Sequence, residues 1–189
     1  MNGEWCYYKQ MFSKEFCENL IKEVHTLPSR QATLGVDGTI PNNSVRKSII
    51  RFIQRGDARF NELFEKLWRA AFDANNDFFN FHISKLDFIQ VAEYDESYAG
   101  EYKEHHDVFW LNDDPFFHRK LSCIVQLSDH TTYEGGDFVI TEAVHPFPED
   151  IKLQGNVIFF PSMLRHKATP VTKGKRYSLA AWFDGPKWR

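Results

Sequence analysis

The stretch Glu101-Tyr102-Lys103-Glu104-His105-His106-Asp107-Val108 decides the reading of this chain. Taken as a β-strand, it puts His105 and Asp107 on one side and His106 on the other, because strand side chains alternate with period two. An imidazole and a carboxylate then aim at one point, as a metal ion requires. A lone His-x-Asp triplet is a weak signal, since this composition produces such triplets by chance and solvated surface residues are the plainer explanation. Its surroundings have to decide.

On either side of it the pattern is β. Short runs of strand-forming residues are predicted at Lys85–Glu93, Glu101–Val108, Leu121–Leu127, Asp137–Glu142, Asn156–Phe160, Leu164–Lys167 and Arg176–Phe183. Turn signals separate them: Asn112-Asp113-Asp114-Pro115, Gly135-Gly136, Pro146 to Pro148, Gly155 and Lys173-Gly174. An earlier strand is expected at Ile49–Gln54.

The N-terminal part carries two amphipathic helices instead. Ser13 is a suitable N-cap for Lys14 to Leu27, where Phe16, Cys17, Leu20, Ile21 and Val24 share a face. The second begins near Asp57 and runs through Phe60, Leu63, Phe64, Leu67, Trp68, Ala71 and Phe72, with Asn75-Asn76 as its expected end. Both stripes read as faces buried against a sheet. Between the helices, Pro28 to Ser48 is a polar segment rich in turn residues. Long segments of this kind inside a domain are usually lids or disordered. Within it Arg46-Lys47 reads as a solvated loop, able to meet an acidic substrate, while Trp5 and Tyr7-Tyr8 read as packing on an edge strand.

Helices followed by short strands give an α+β fold, a sheet sandwich or barrel with helices packed outside. The 189-residue length suits one domain over residues 1–189, with 1–84 as support and 85–189 as the β core. A net charge of −3 and the absence of a Lys/Arg-rich run argue against nucleic-acid or anionic-membrane partners. Cys6, Cys17 and Cys123 are odd in number and lack metal-type spacing, so they read as buried thiols. No N-terminal signal pattern or membrane span is evident, and a reduced cytoplasmic protein is the expectation.

Two further features strengthen the metal reading. His166 follows the apolar run Phe159-Phe160-Pro161 and supplies a second imidazole, unless it is a core histidine bonded to a neighbouring carboxylate or carbonyl. Two imidazoles and one carboxylate hold one face of a ferrous ion and leave the other open. Arg176 opens the apolar strand Tyr177 to Phe183 and shares a face with Ser178, Ala180 and Trp182. An arginine aimed into a barrel is costly unless an anion meets it, and Arg176 can grip a carboxylate through two hydrogen bonds. An internal acid, or water at the barrel mouth, would satisfy it equally.

Here the chain resembles the Fe(II)/2-oxoglutarate-dependent dioxygenases, in particular the prolyl 4-hydroxylase-like branch found in bacteria, phages and eukaryotes. The resemblance is carried by Tyr94 with Tyr98 to Asp107, by Leu121 to Ser128, by Tyr133-Glu134-Gly135-Gly136-Asp137-Phe138 and by Phe160 to Pro186. It implies a double-stranded β-helix (jelly roll) with the N-terminal helices on the outside of the barrel. It further implies Fe(II) on His105, Asp107 and His166, with Arg176 and Ser178 holding the distal carboxylate of 2-oxoglutarate. Tyr94 or Tyr102 would line the co-substrate pocket, and Trp182 would face iron and substrate. One departure stands out: Gln126 occupies a position that is tyrosine in some relatives.

The implied reaction turns 2-oxoglutarate and O₂ into succinate and CO₂ while hydroxylating a C–H bond, with ascorbate as an accessory reductant. The expected substrate is a prolyl residue of a protein or peptide, and the alternative is a free amino acid or other small metabolite. A nucleic-acid dealkylase is disfavoured, because that branch carries a second arginine where this chain has Trp182. A non-catalytic β-helix binding module is the remaining reading. Pro28–Ser48 and Phe109-Trp110 are the expected lid.

Overall fold

The computed structural model describes residues 3–32, 44–108, 116–144 and 148–188. In chain order its elements are β1 (Cys6–Tyr8), α1 (Lys14–Val24), β2 (Ser29–Gln31), β3 (Arg46–Lys47), β4 (Ile49–Gln54), α2 (Asn61–Ala74), β5 (Phe88–Asp95), β6 (Glu101–His105), β7 (Phe117–Gln126), β8 (Tyr133–Gly135), β9 (Phe138–Ile140), α3 (Pro148–Ile151), β10 (Val157–Pro161), β11 (His166–Ala168) and β12 (Val171–Pro186).

Among the described residues the strands form two antiparallel sheets. The larger runs β1-β10-β7-β12-β5-β4-β2, with β8 also on β12, and the smaller runs β3-β6-β11-β9. Period-two alternation divides the larger sheet into two faces. Ile89, Val91, Leu121, Cys123, Val125, Leu179, Ala181 and Phe183 point outward and form one apolar cluster with Cys17, Leu20 and Val24 of α1 and Leu63, Phe64 and Leu67 of α2. The opposite face meets the smaller sheet. Ala92 and Tyr94 pack with Ala168 and Tyr102, and Ile158 and Phe160 pack with Phe138 and Ile140. Two facing antiparallel sheets with helices on the outer surface make the expected α+β, double-stranded β-helix core.

The helix ends follow local chemistry. Ser13 Oγ accepts from the Phe16 amide at 3.1 Å, the expected N-cap. As expected, α2 ends at Ala74 with Asn75 as its C-cap, and a wide helical turn over Asn75–Phe79 follows it. The Asn75 side chain receives the Phe81 amide and donates to the Phe81 carbonyl, both at 2.8 Å, and Asn80 makes the stop at φ 54°.

The segment expected to be one long loop contains β2 and β3 at its ends, because each finds a strand partner, β4 and β6 respectively. Arg46, expected to be solvated, is 7% exposed as a result. The central residues 33–43 of the expected lid, and Phe109-Trp110, lie outside the described residues. Trp5 and Tyr7-Tyr8 do belong to an edge, with β1 paired to β10. All three cysteines are free and buried. Among the described residues no helix is long and apolar enough to cross a membrane.

Candidate metal centre and anion pocket

His105 and His166 face one another across a strand pair, β6 to β11, in direct register. The expected strand over Glu101–Val108 stops at His105, and Asp107 lies just past it, fixed by its amide bond to the Ser162 carbonyl at 2.9 Å. The three side chains still converge: one ligand atom from each of His105, Asp107 and His166 falls within 4.8 Å of the others. Asp107 Oδ1 is 3.7 Å from His105 Nε2, and Oδ2 is 3.6 Å from His166 Nε2.

The hydrogen bonds around the trio prepare it for a cation. His105 Nδ1 lies 2.8 Å from the Lys103 carbonyl, and His166 Nδ1 lies 3.0 Å from the Leu164 carbonyl. A carbonyl only accepts, so each Nδ1 carries the proton and each Nε2 presents a lone pair to the centre. Ser122 Oγ, on β7 of the larger sheet, donates to Asp107 Oδ2 at 2.7 Å.

The titration behaviour agrees. Burial, reinforced by the neighbouring His166, pushes His105 down to about 3. Asp107 is pulled down to about 2: burial opposes ionisation, but His166, His105 and Arg119 outweigh it. A neutral imidazole beside an ionised carboxylate is the form in which these residues ligate a metal. Ligand kinds and converging atoms therefore fit a divalent ion of the ferrous type.

A second buried polar cluster centres on Arg176. Arg176 is 2% exposed, and its Nε has no hydrogen-bond partner among the described residues. One terminal nitrogen donates to Gln126 Oε1 at 2.9 Å, a neutral acceptor. Tyr94 lies beneath the guanidinium with its ring 5.4 Å away, and Ser178 follows on the same face of β12. Gly136, at φ +61°, is required here: a Cβ would come within 2.9 Å of Arg176 Cδ. An orphaned buried donor beside a cleared backbone fits an incoming carboxylate.

Tyr102 is placed differently from Tyr94. Its ring stacks on His105, centroids 3.5 Å apart and planes 14° apart. Of the two expected pocket tyrosines, the structure thus brings Tyr94 to Arg176 and Tyr102 to the metal trio. His106 is not part of the converging group, and its buried Nδ1 has no partner among the described residues.

One residue of the site escaped the sequence reading. Arg119 shares the odd numbering of the outward residues Leu121 and Cys123, yet its guanidinium lies 4.0 Å over the Trp182 ring on the inner face. The cause is a bulge: Leu121 pairs with Phe183 and Arg119 with Asp184, so Lys120 is an extra residue that reverses the alternation. No local sequence signal marks it. Arg119 and Trp182 line a cavity of about 190 Å³ with Lys85, Asp87, Phe88, Phe117 and Asp184.

Comparison with known proteins gives a consistent picture. A model of the 2OG-Fe(II) oxygenase superfamily matches residues 89–184. A PKHD-type hydroxylase of Aliarcobacter butzleri (strain RM4018) is 34% identical over 90 residues, covering 46% of this chain and 39% of that protein. Another from Synechococcus sp. (strain CC9605) is 36% identical over 78 residues, covering 40% and 35%. The matched region is thus well under half the length of these relatives.

Among solved structures, the viral collagen prolyl hydroxylase vCPH from Paramecium Bursaria Chlorella virus-1, in its 2OG complex, superposes with a TM-score of 0.70 at 20% identity, covering 97% of both chains. A Pseudomonas putida prolyl-4-hydroxylase gives 0.70 at 18% identity, covering 95% of this chain and 91% of that one. At such identities the structural likeness speaks to the fold alone.

Proposed function

We propose a function from one settled premise: the chain belongs to the 2OG-Fe(II) oxygenase superfamily. It is an Fe(II)- and 2-oxoglutarate-dependent hydroxylase, with His105, Asp107 and His166 as the iron ligands. The observation that carries this reading is the convergence of two Nε2 lone pairs and one carboxylate, together with a buried arginine with an orphaned donor. A non-catalytic binding module has no need of both.

Iron and 2-oxoglutarate, when bound, supply the oxidation: O₂ gives one oxygen atom to succinate and the other to the substrate hydroxyl, with CO₂ released. The residues of the chain supply binding and orientation. Arg176 would hold the distal carboxylate of 2-oxoglutarate through its free Nε, Ser178 would add a hydroxyl donor, and Tyr94 would form the floor, with Gln126 Oε1 steadying the guanidinium. Ser122 holds Asp107 from behind, and the backbone carbonyls of Lys103 and Leu164 keep both imidazoles in the ligating tautomer. Trp182 and Arg119 bound a neighbouring cavity, which none of the three ligands lines and which could take the part of a substrate beyond the reacting carbon.

The substrate we favour is a prolyl residue in a protein or peptide. The P. putida and viral structures that share the fold are named as prolyl hydroxylases. A free amino acid is the second reading, because the cavity presents both signs of charge, Lys85 and Arg119 with Asp87 and Asp184. A reducing compartment fits three free thiols and ferrous iron.

The test has two stages. Metal-free protein is titrated anaerobically with Fe(II) and then 2-oxoglutarate, with His166→Ala alongside. A visible charge-transfer band in the wild type, absent in the variant, is the expected result; a folded wild type that takes up iron without the band refutes the reading. Succinate release is then compared for proline-containing peptides and free amino acids.

A further inference from the structure

The iron ligand His105 has a support that neither the family match nor the ligand set assigns. We propose that Arg46 and Tyr102 are positioning residues which clamp the His105 ring and hold a permanent positive charge behind it. The inference rests on the reading of the trio as an iron site.

The geometry is a three-layer stack. Arg46 on β3 sits opposite Tyr102 on β6. Its guanidinium lies 4.4 Å from the centroid of the Tyr102 ring. The other face of that contact is His105, nearly parallel to Tyr102 at 3.5 Å. Arg46 Nε donates to Ser48 Oγ at 2.8 Å, and both residues are buried. That partner is neutral, so no carboxylate among the described residues cancels the charge.

Packing alone does not call for this arrangement. Burying a guanidinium carries a desolvation cost, which a cation–π contact offsets only in part. His166 shows what an apolar solution looks like: its ring is flanked by Phe160 at 4.8 Å and Phe138 at 5.6 Å. The fold therefore holds one imidazole with hydrocarbon and the other with a cation–π plate.

Two consequences follow for His105. Its bond to the Lys103 carbonyl sets the direction of Nδ1 but leaves the ring free to tilt about that bond. A flat ring against its face removes the tilt, so Nε2 is held on the metal. A fixed positive charge near the ligand also disfavours the higher charge of ferric over ferrous iron, biasing the site toward the active oxidation state.

The experiment titrates Co(II) into wild type, Tyr102→Phe, Tyr102→Leu, Arg46→Lys and Arg46→Met, each first checked by circular dichroism and thermal melting. Tyr102→Phe keeps the flat ring and should match wild type in affinity and visible bands. Tyr102→Leu should weaken Co(II) by about ten- to a hundredfold and shift the bands, the range typical when a residue orienting a metal ligand is lost. The Fe(III)/Fe(II) midpoint, measured with mediators, should fall in Arg46→Met and stay near wild type in Arg46→Lys, which keeps the charge.

Unchanged affinity, spectrum and midpoint in folded Tyr102→Leu and Arg46→Met would overturn the inference. Should Arg46→Met not fold, the Tyr102→Phe and Tyr102→Leu pair decides it. A wild type that binds neither metal would overturn the site reading itself, and this proposal with it.

Discussion

At their most deeply buried positions, strands β7 and β12 carry opposite chemistry on their two faces. Outward, Leu121, Cys123, Val125, Leu179, Ala181 and Phe183 are all at 0% exposure against the helices. Inward, the deeply buried residues Ser122, Gln126, Arg176 and Ser178 are at 5% or less and polar, while Ile124, Ala180 and Trp182 on the same face are apolar and only partly buried. Hydrophobic burial stabilises the fold through the outer face. The inner polar groups cannot contribute in that way, since each loses water and needs a partner. Equal burial with opposite chemistry is the mark of a face kept for ligands.

Breaking that division from the inside should produce the largest effects. Asp107→Ala removes the one carboxylate of the trio, and iron-dependent turnover should be abolished, as should that of His105→Ala and His166→Ala. Succinate release and bound iron are the measurements, and normal turnover in any of the three would remove that residue from the site. Arg176→Met comes next. Losing a buried charged partner usually costs about 2–5 kcal/mol of binding, so half-saturation by 2-oxoglutarate should rise by about two orders of magnitude with iron affinity retained. The same variant should melt no lower than wild type, because it deletes a buried charge with an orphaned donor. A lower melting temperature with unaltered co-substrate titration would make Arg176 structural and dissolve the contrast.

The division was readable in the sequence wherever alternation held. His105 and His166 lie on strands, Asp107 two residues past one, and Arg176 and Ser178 on β12, whose apolar outward residues sit at the complementary parity. What alternation cannot show is its own interruption. Arg119 turned inward because Lys120 is an extra residue between two ladder pairs, a fact of long-range register. Arg46 was buried because two residues of a turn-rich segment found β6. In both cases a non-local contact overrode a local pattern that was correctly read.

Leu179→Ala tests the outer face at a position one step from Ser178. It leaves a cavity where α1, α2 and the sheet meet, and stability should fall by about 2–5 kcal/mol in denaturant unfolding. Co-substrate titration of the folded fraction should be unchanged. An altered 2-oxoglutarate requirement would mean that the two faces are mechanically coupled.

The smallest effect is expected from His106→Ala, and it is the sharpest check on parity. His106 sits between two residues of the trio, as close to them in sequence as a residue can be, yet it is not among the converging ligands and its Nδ1 finds no partner among the described residues. Removing an imidazole with an unsatisfied buried nitrogen takes away no ligand and no hydrogen bond recorded there, so iron binding should match wild type in a direct titration. The neighbours His105 and Asp107 lose iron in the same assay. If His106→Ala lost iron as they do, position along the chain rather than face would govern the site, and the separation of a structural from a chemical side would fail at its centre.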